Sequence, residues 1–249
     1  MLTQGTANAG DSIFYDYRIN HSLRFDGTNY LSRNMSGTGQ ANWTFSLWVK
    51  RSTLGTNYLV GESYASHDAF IGFASDNKIT VLDKYCSGTC QTNLSTTNSV
   101  FRDTSAFYHI VAAFNGSASS VSDGFKIYVN GQSVPSTASA DSWPRNSTGW
   151  FLGTMYIGRS YSANYLKGYM ANVQFIDGQT LNPYYFGEMR NNIWIPYNAF
   201  TTANSNSVVS RASNGNTAYD NYGSNGFHLL FNDLTDLGKD SSGNANNWY

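Results

Sequence analysis

From residue 21 onward the chain repeats one pattern: a short run of alternating apolar and polar residues, closed by a cluster of Gly, Asn, Asp or Ser. In "WTFSLWVKR" (43–51), Trp43, Phe45, Leu47 and Val49 share one face. Alternation with period two marks a strand with one buried face, and no run holds a helical period of any length. "FKIYVNGQSV" (125–134) shows the unit complete. Phe125, Ile127 and Val129 alternate with Lys126 and Tyr128. Asn130-Gly131 then supplies the two positive-φ residues of a type I′ hairpin turn, and Gln132-Ser133-Val134 starts the return strand. "AFIGFA", "KITVLD", "FYHIVAAF", "MYIGRS" and "YMANVQFIDG" repeat the pattern. Many short strands at this spacing predict an all-β antiparallel sandwich. "NPYYFGEM", after Leu181, departs from it as a short helical turn with Pro183 near its start.

The chain has 249 residues, enough for a core that needs no staples. Net charge is −1 and there is no Lys/Arg run, which argues against an electrostatic grip on nucleic acid or anionic lipid. No stretch approaches the ~20 apolar residues of a membrane span, so no membrane insertion is expected. The N-terminal residues carry neither a basic nor an apolar leader region, so no signal peptide is expected. After about residue 190 the sequence turns polar, Asn-rich and non-periodic until "FHLLF" (227–231). The expected organisation is an N-terminal arm (1–20), a sandwich (21–190), and a polar linker with a C-terminal strand or arm (191–249). "FHLLF" left alone would expose unpaired backbone and large side chains, so it must pair with the sandwich or with a neighbouring chain. The expectation is the neighbour, with a truncation after Met189 leaving a folded sandwich that no longer assembles.

Taken in order, "SLRFDGTNYLS", "WTFSLWVKR", "FYHIVAAFNG", "DGFKIYVNGQSV" and "IGRSYSANYLKGYMANVQFID" resemble the segments of the concanavalin A-like (laminin-G-like) jelly roll over residues 21 to 190. The resemblance implies two antiparallel sheets. It makes Trp48, His109, Asn130 and Gly131 framework residues and leaves recognition to the loops. "VQFIDGQTLNPYYFGE" and "GFHLLFNDLTDLGKDSSGNANNW" are similar to segments of lectin-like structural proteins of tailed phages, particularly marine ones. That similarity implies a non-enzymatic virion protein made in the host cytoplasm and displayed on the particle, as a capsid decoration or short head fibre. Its partners would be other capsid or tail proteins and copies of itself, with a homotrimer expected. The rival reading is a tail adhesin that binds host surface glycans, and a glycoside hydrolase stands third.

The reactive chemistry is sparse. Glycosidases flank the scissile bond with two carboxylates, arranged in laminarinase-type relatives of this fold as E-x-D-x-x-E. Here the glutamates are Glu62 and Glu188, without that pattern. No serine sits in a G-x-S-x-G elbow. Cys86 and Cys90, in "CSGTC", fit a small-loop disulfide or two free thiols equally, and no neighbouring ligand suggests a metal. No cofactor is expected. Calcium is the ion best suited to such a fold, with Asp233, Asp236 and Asp240 as oxygen donors, but their spacing reads more readily as solvated turns. Flat rings stack on sugar faces, so loop aromatics are the candidates for carbohydrate contact: Tyr64 with His67 and Asp68, Trp143, Trp150, Tyr161 and Tyr165. Packing over the sandwich ends or against a neighbouring subunit is the competing role for these rings.

Overall fold

The computed structural model describes residues 17–35, 41–64, 67–87, 89–140, 153–160, 164–197 and 222–249, with the backbone alone for residues 63, 64, 67, 85–87, 89–91 and 93. Its strands are β1 (Leu23–Asp26), β2 (Leu31–Asn34), β3 (Asn42–Arg51), β4 (Asn57–Tyr64), β5 (His67–Phe73), β6 (Ile79–Ser87), β7 (Thr89–Thr97) and β8 (Tyr108–Asn115). After a single helical turn, α1 (Val121–Gly124), come β9 (Phe125–Val129), β10 (Gln132–Ser133), β11 (Ser136–Ala140), β12 (Thr154–Ile157), β13 (Lys167–Asp177), β14 (Gly187–Arg190), β15 (Ile193–Pro196) and β16 (Phe227–Leu229). Two antiparallel seven-stranded sheets form the sandwich. The first runs β1-β13-β3-β8-β9-β10, with β16 also on β13, and the second runs β11-β7-β6-β5-β4-β12-β2.

The expected alternation sets what each strand buries. Trp43, Phe45, Leu47 and Val49 of β3 join Ile110, Ala112 and Phe114 of β8 and Phe125, Ile127 and Val129 of β9 on the inner face. Leu59, Ile71, Phe73, Ile79, Val81, Met155 and Ile157 meet them from the second sheet. Each of the larger of these side chains contributes about 1.5–3 kcal/mol by leaving water. The predicted hairpin is present: Asn130 and Gly131 have φ of 49° and 79°, and Gln132 pairs with Val129. The predicted helical turn is a 3₁₀ turn, Pro183–Tyr185, capped by Asn182, whose side chain accepts from the Tyr184 N–H at 3.0 Å.

The outer face of the first sheet is covered as well. Thr44, pointing outward from β3, accepts from Leu181 N (2.8 Å) and donates to Gln179 O (2.9 Å), docking the chain after β13 onto the sheet. Val111, Ile176, Leu181, Phe186 and Tyr222 make a second, smaller core there.

Beyond residue 190 the structure departs from the expected linker. Asn191 and Asn192, with φ of 50° and 64°, form the tight turn of the β14–β15 hairpin. Two consecutive positive-φ asparagines do what Asn-Gly does, so this hairpin lacks the glycine that would have marked it. The question of what "FHLLF" pairs with is answered within the chain. β16 lies on β13, with Val173 opposite Leu229 and Phe175 opposite Phe227. Phe227, Leu229, Phe231 and Trp248 are buried in the main core. The expected detached arm is therefore, over its described residues 222–249, a part of the sandwich. Residues 1–16 and 198–221, the bulk of the expected arm and linker, lie outside the described residues.

The end of the chain also reaches the second sheet. Ser32 N donates to Tyr249 O (2.6 Å) and Tyr249 N to Ser32 O (3.0 Å), which extends the edge at β2. Asp240 organises this segment: its carboxylate accepts from His228 N (2.8 Å), Ser242 N (2.8 Å), Ser242 Oγ (2.7 Å) and Asn246 N (2.8 Å).

Candidate functional site

The framework role expected of Asn130-Gly131 has a specific content. Gly131 lies under the indole of Trp194, where a Cβ would overlap the ring. Trp194 stacks on His109 (5.8 Å, 20°), and His109 stacks in turn on Trp48 (4.7 Å, 21°). The imidazole is fully buried. Trp194 Nε1–H donates to His109 Nδ1 at 2.9 Å, so the neutral ring carries its proton on Nε2 and donates to Ser46 Oγ, also at 2.9 Å. Burial pushes His109 down to about 3, which leaves it neutral and unsuited to proton transfer near pH 7.

An exposed aromatic group forms on the outer face of the second sheet. In β12, Met155 and Ile157 face the core, which turns Tyr156 outward. Arg159 follows at the strand's end, and Gly61 on the neighbouring β4 lets it lie close. A Cβ at Gly61 would stand 2.6 Å from Ser160 Cα and 2.7 Å from Arg159 O. The Arg159 guanidinium sits 4.3 Å from the Tyr156 ring centre, 4.4 Å from Tyr30 and 5.4 Å from Tyr165. Its Nη1 donates to Tyr165 Oη at 3.2 Å and its Nε to Ser160 O at 2.9 Å. Tyr30 packs edge-on against Tyr156 at 5.6 Å, yet keeps 40% of its surface exposed. The turn before Tyr30 is held by Asp26, whose carboxylate accepts from Thr28 N (2.8 Å) and Thr28 Oγ1 (2.7 Å). Those bonds hold the Asp26 carboxyl below the usual carboxylate range. Three rings fixed around one cation make a rigid, partly exposed platform with hydroxyls at its rim, an arrangement suited to a sugar face.

Of the predicted sugar-contact residues, Tyr165 has its place in this platform. Tyr30, Tyr156 and Arg159 were missed. The outward phase of Tyr156 and the glycine beside Arg159 were the available signals. Tyr64 and His67 face each other across the β4–β5 hairpin, with Asp68 opposite Ser63. They lie at the opposite end of β4 from the platform, because Tyr156 aligns with Gly61 while Thr154 aligns with Ser63. The same end carries the β6–β7 hairpin, in which Cys86 is the Cα partner of Cys90, and the end of β11. The side chains of Tyr64, His67, Cys86 and Cys90, and the whole of Trp143, Trp150 and Tyr161, lie outside the described residues.

The carboxylates are engaged elsewhere. Asp233 accepts from Thr235 N and Oγ1 with one oxygen and from Lys239 Nζ (3.0 Å) with the other. These bonds hold its carboxyl down at about 2. Asp240 is filled by its four donors, and among the described residues no group of three or more His, Cys, Asp or Glu could hold a metal. Asp236 gives its backbone N–H to Asp233 O in the same turn. Glu62 is buried and accepts from Gly153 N at 2.7 Å, while Glu188 pairs with Arg190 at 2.6 Å.

Residues 25–183 match the family described as the concanavalin A-like lectin/glucanases superfamily. No curated protein matches the chain. Among solved structures, a SAP-like pentraxin from Limulus polyphemus is 15% identical, with 65% of this chain and 77% of that chain covered at a TM-score of 0.45. A two-domain piece of the mouse laminin alpha1 chain is 15% identical, with 64% and 41% covered at a TM-score of 0.44. Tailspike protein 2 of an Escherichia coli bacteriophage is 13% identical, with 64% and 23% covered at 0.45. The chain thus spans less than half of the laminin and tailspike chains.

Proposed function

The chain belongs to the concanavalin A-like lectin/glucanase superfamily, and from that premise we propose that it is a non-enzymatic surface protein of a tailed-phage particle, displaying its lectin-like domain as a capsid decoration or short head fibre. The observation that carries this reading is the pairing of β16 with β13. The two stretches that resemble tailed-phage virion proteins, 173–188 and 226–248, are 38 or more positions apart in the chain, yet they are strand partners and share one core. Asp177 of the first accepts from Asn225 N (3.0 Å) and Nδ2 (3.1 Å), just ahead of the second. The two stretches thus form one structural unit, which supports reading them together. The engaged states of Glu62 and Glu188 support the non-enzymatic part.

Electron microscopy of particles with and without the protein tests this. A density that disappears with the protein, at the capsid or a head fibre, is the expected result. Particles of unchanged composition and shape would sink the virion reading. A second reading, a glycan-binding adhesin, is favoured by the Tyr30–Tyr156–Tyr165 platform around Arg159. Binding on a glycan array that Tyr30→Ala abolishes would establish it.

A further inference from the structure

An asparagine followed by glycine is open to spontaneous amide chemistry. The nitrogen of the next residue attacks the asparagine side-chain carbonyl, and glycine hinders that approach least. Three such pairs lie among the described residues: Asn115-Gly116, Asn130-Gly131 and Asn225-Gly226. They differ in what holds the attacking nitrogen. Gly116 N donates to Ala41 O at 2.7 Å, and Gly226 N to Gly223 O at 3.1 Å. A nitrogen bonded through its hydrogen gives up that proton less readily. Asn225 is also buried, with its side-chain nitrogen on Asp177 Oδ2 at 3.1 Å. Asn130 is exposed, and Gly131 N–H has no acceptor among the described residues. The Asn130 carbonyl, by contrast, is engaged: Oδ1 accepts from His109 N at 2.8 Å.

We propose that Asn130 is a site of spontaneous deamidation and the first of these three to react. Gly131 N loses its proton to solvent and bonds Asn130 Cγ. Charge then develops on Oδ1, where the His109 N–H already stands as a donor, as in an oxyanion hole. The Cγ–Nδ2 bond breaks, ammonia leaves, and a cyclic succinimide remains. Water opens that ring at either carbonyl, giving aspartate or isoaspartate. Aspartate keeps an oxygen for His109 N. Isoaspartate carries the main chain through the side-chain carbons, which lengthens a two-residue turn closed by the Val129–Gln132 pair. Because Gly131 lies under Trp194, that change loosens the Trp194–His109 stack. The modification is independent of both readings above, since it needs only water and the folded chain.

Peptide mapping by mass spectrometry, on the full chain aged at pH 8 and 37 °C, tests the proposal. Asn130 is expected to convert about tenfold faster than Asn115 and Asn225, a margin modest beside the ~100-fold or more that one oxyanion donor contributes in an enzyme. In guanidinium chloride, where the fold is gone, the three pairs should react at like rates. Isoaspartate at position 130 should be methylated by an isoaspartate methyltransferase. The aged protein should melt below the parent, whereas a fresh Asn130→Asp variant should melt with it. Conversion of Asn115 or Asn225 first would overturn the proposal, as would a ranking that persists in denaturant. An Asn130→Asp variant that melts as low as the aged protein would overturn the isoaspartate step.

Discussion

Trp194 Nε1 donates to His109 Nδ1 at 2.9 Å, joining the β14–β15 hairpin to the centre of the first sheet. Indole N–H can only donate, so this bond fixes the imidazole as an acceptor at Nδ1 and keeps it neutral. His228, also buried, has a side-chain partner at each ring nitrogen as well. Its Nε2 bonds Asn172 Oδ1 at 2.5 Å and its Nδ1 meets Tyr222 Oη at 3.1 Å. Burial pushes His228 down to about 4.

Both depressed histidines make stability depend on pH with a definite sign. The unfolded chain protonates them near 6.5, whereas the folded chain resists until about 4 for His228 and about 3 for His109. Between those limits the unfolded state binds more protons, so stability is full above 6.5 and falls with pH below it. The slope is about 1.4 kcal/mol per pH unit for each histidine. Melting temperatures from pH 7.5 down to pH 4.5 should decline steadily below 6.5. A flat profile over that range would show that neither imidazole is held neutral by the fold.

Replacing Asn130-Gly131 by Val-Val should destabilise the domain on two counts. Positive φ costs a β-branched residue about 1–2 kcal/mol or more at each position. Any side chain at Gly131 also displaces Trp194 and with it the cover over His109. Gly131→Ala alone keeps Asn130 and combines the positive-φ cost at one position with the overlap against Trp194. An alanine variant that melts with the parent protein would mean that Trp194 has room to move.

Deleting residues 222–249 should unfold the sandwich. Phe227, Leu229, Phe231 and Trp248 would leave the core, each removing about 1.5–3 kcal/mol. That loss is comparable with the whole stability of a typical domain, about 5–15 kcal/mol. Circular dichroism and gel filtration of the truncated chain decide the matter. A monomeric, cooperatively melting product would restore the view of this segment as a separable arm.

Calcium and its removal should leave the fold unchanged. The oxygens of Asp233 are taken by Thr235 and Lys239, and those of Asp240 by backbone and side-chain donors. A cation would have to displace these bonds before gaining its own. Thermal melts in millimolar calcium and in EDTA are expected to coincide. A rise with calcium that Asp233→Asn removes would place an ion in this loop after all.

The sandwich was legible because its code is local. The inner faces of β3, β8 and β9 and the Asn130-Gly131 turn can each be read within ten residues. What escaped is set by distance or by backbone rather than by pattern. Arg51, at the polar end of "WTFSLWVKR", is in fact buried. Its guanidinium bonds Phe101 O (2.7 Å) and Gly55 O (2.6 Å) over the ring of Phe73, and burial pushes its pKa down. The tyrosine platform draws residues from positions 30, 156–159 and 165, brought together by sheet order that alternation does not specify. The partner of β16 could not be chosen from sequence because both candidate edges satisfy the same need to bury apolar residues.

The pairing of Ser32 with Tyr249 spans 217 positions, nearly the full length of the chain. Contacts this remote form last, since the loop between them must be closed before they contribute anything. During synthesis β2 therefore precedes the residue that, among the described residues, meets its outer edge, and that contact forms only once residue 249 has emerged. Two nascent chains on neighbouring ribosomes would present the same edge to each other. An unpaired strand edge of this kind is a general route to association between folding chains, and closure of the Ser32–Tyr249 contact removes it.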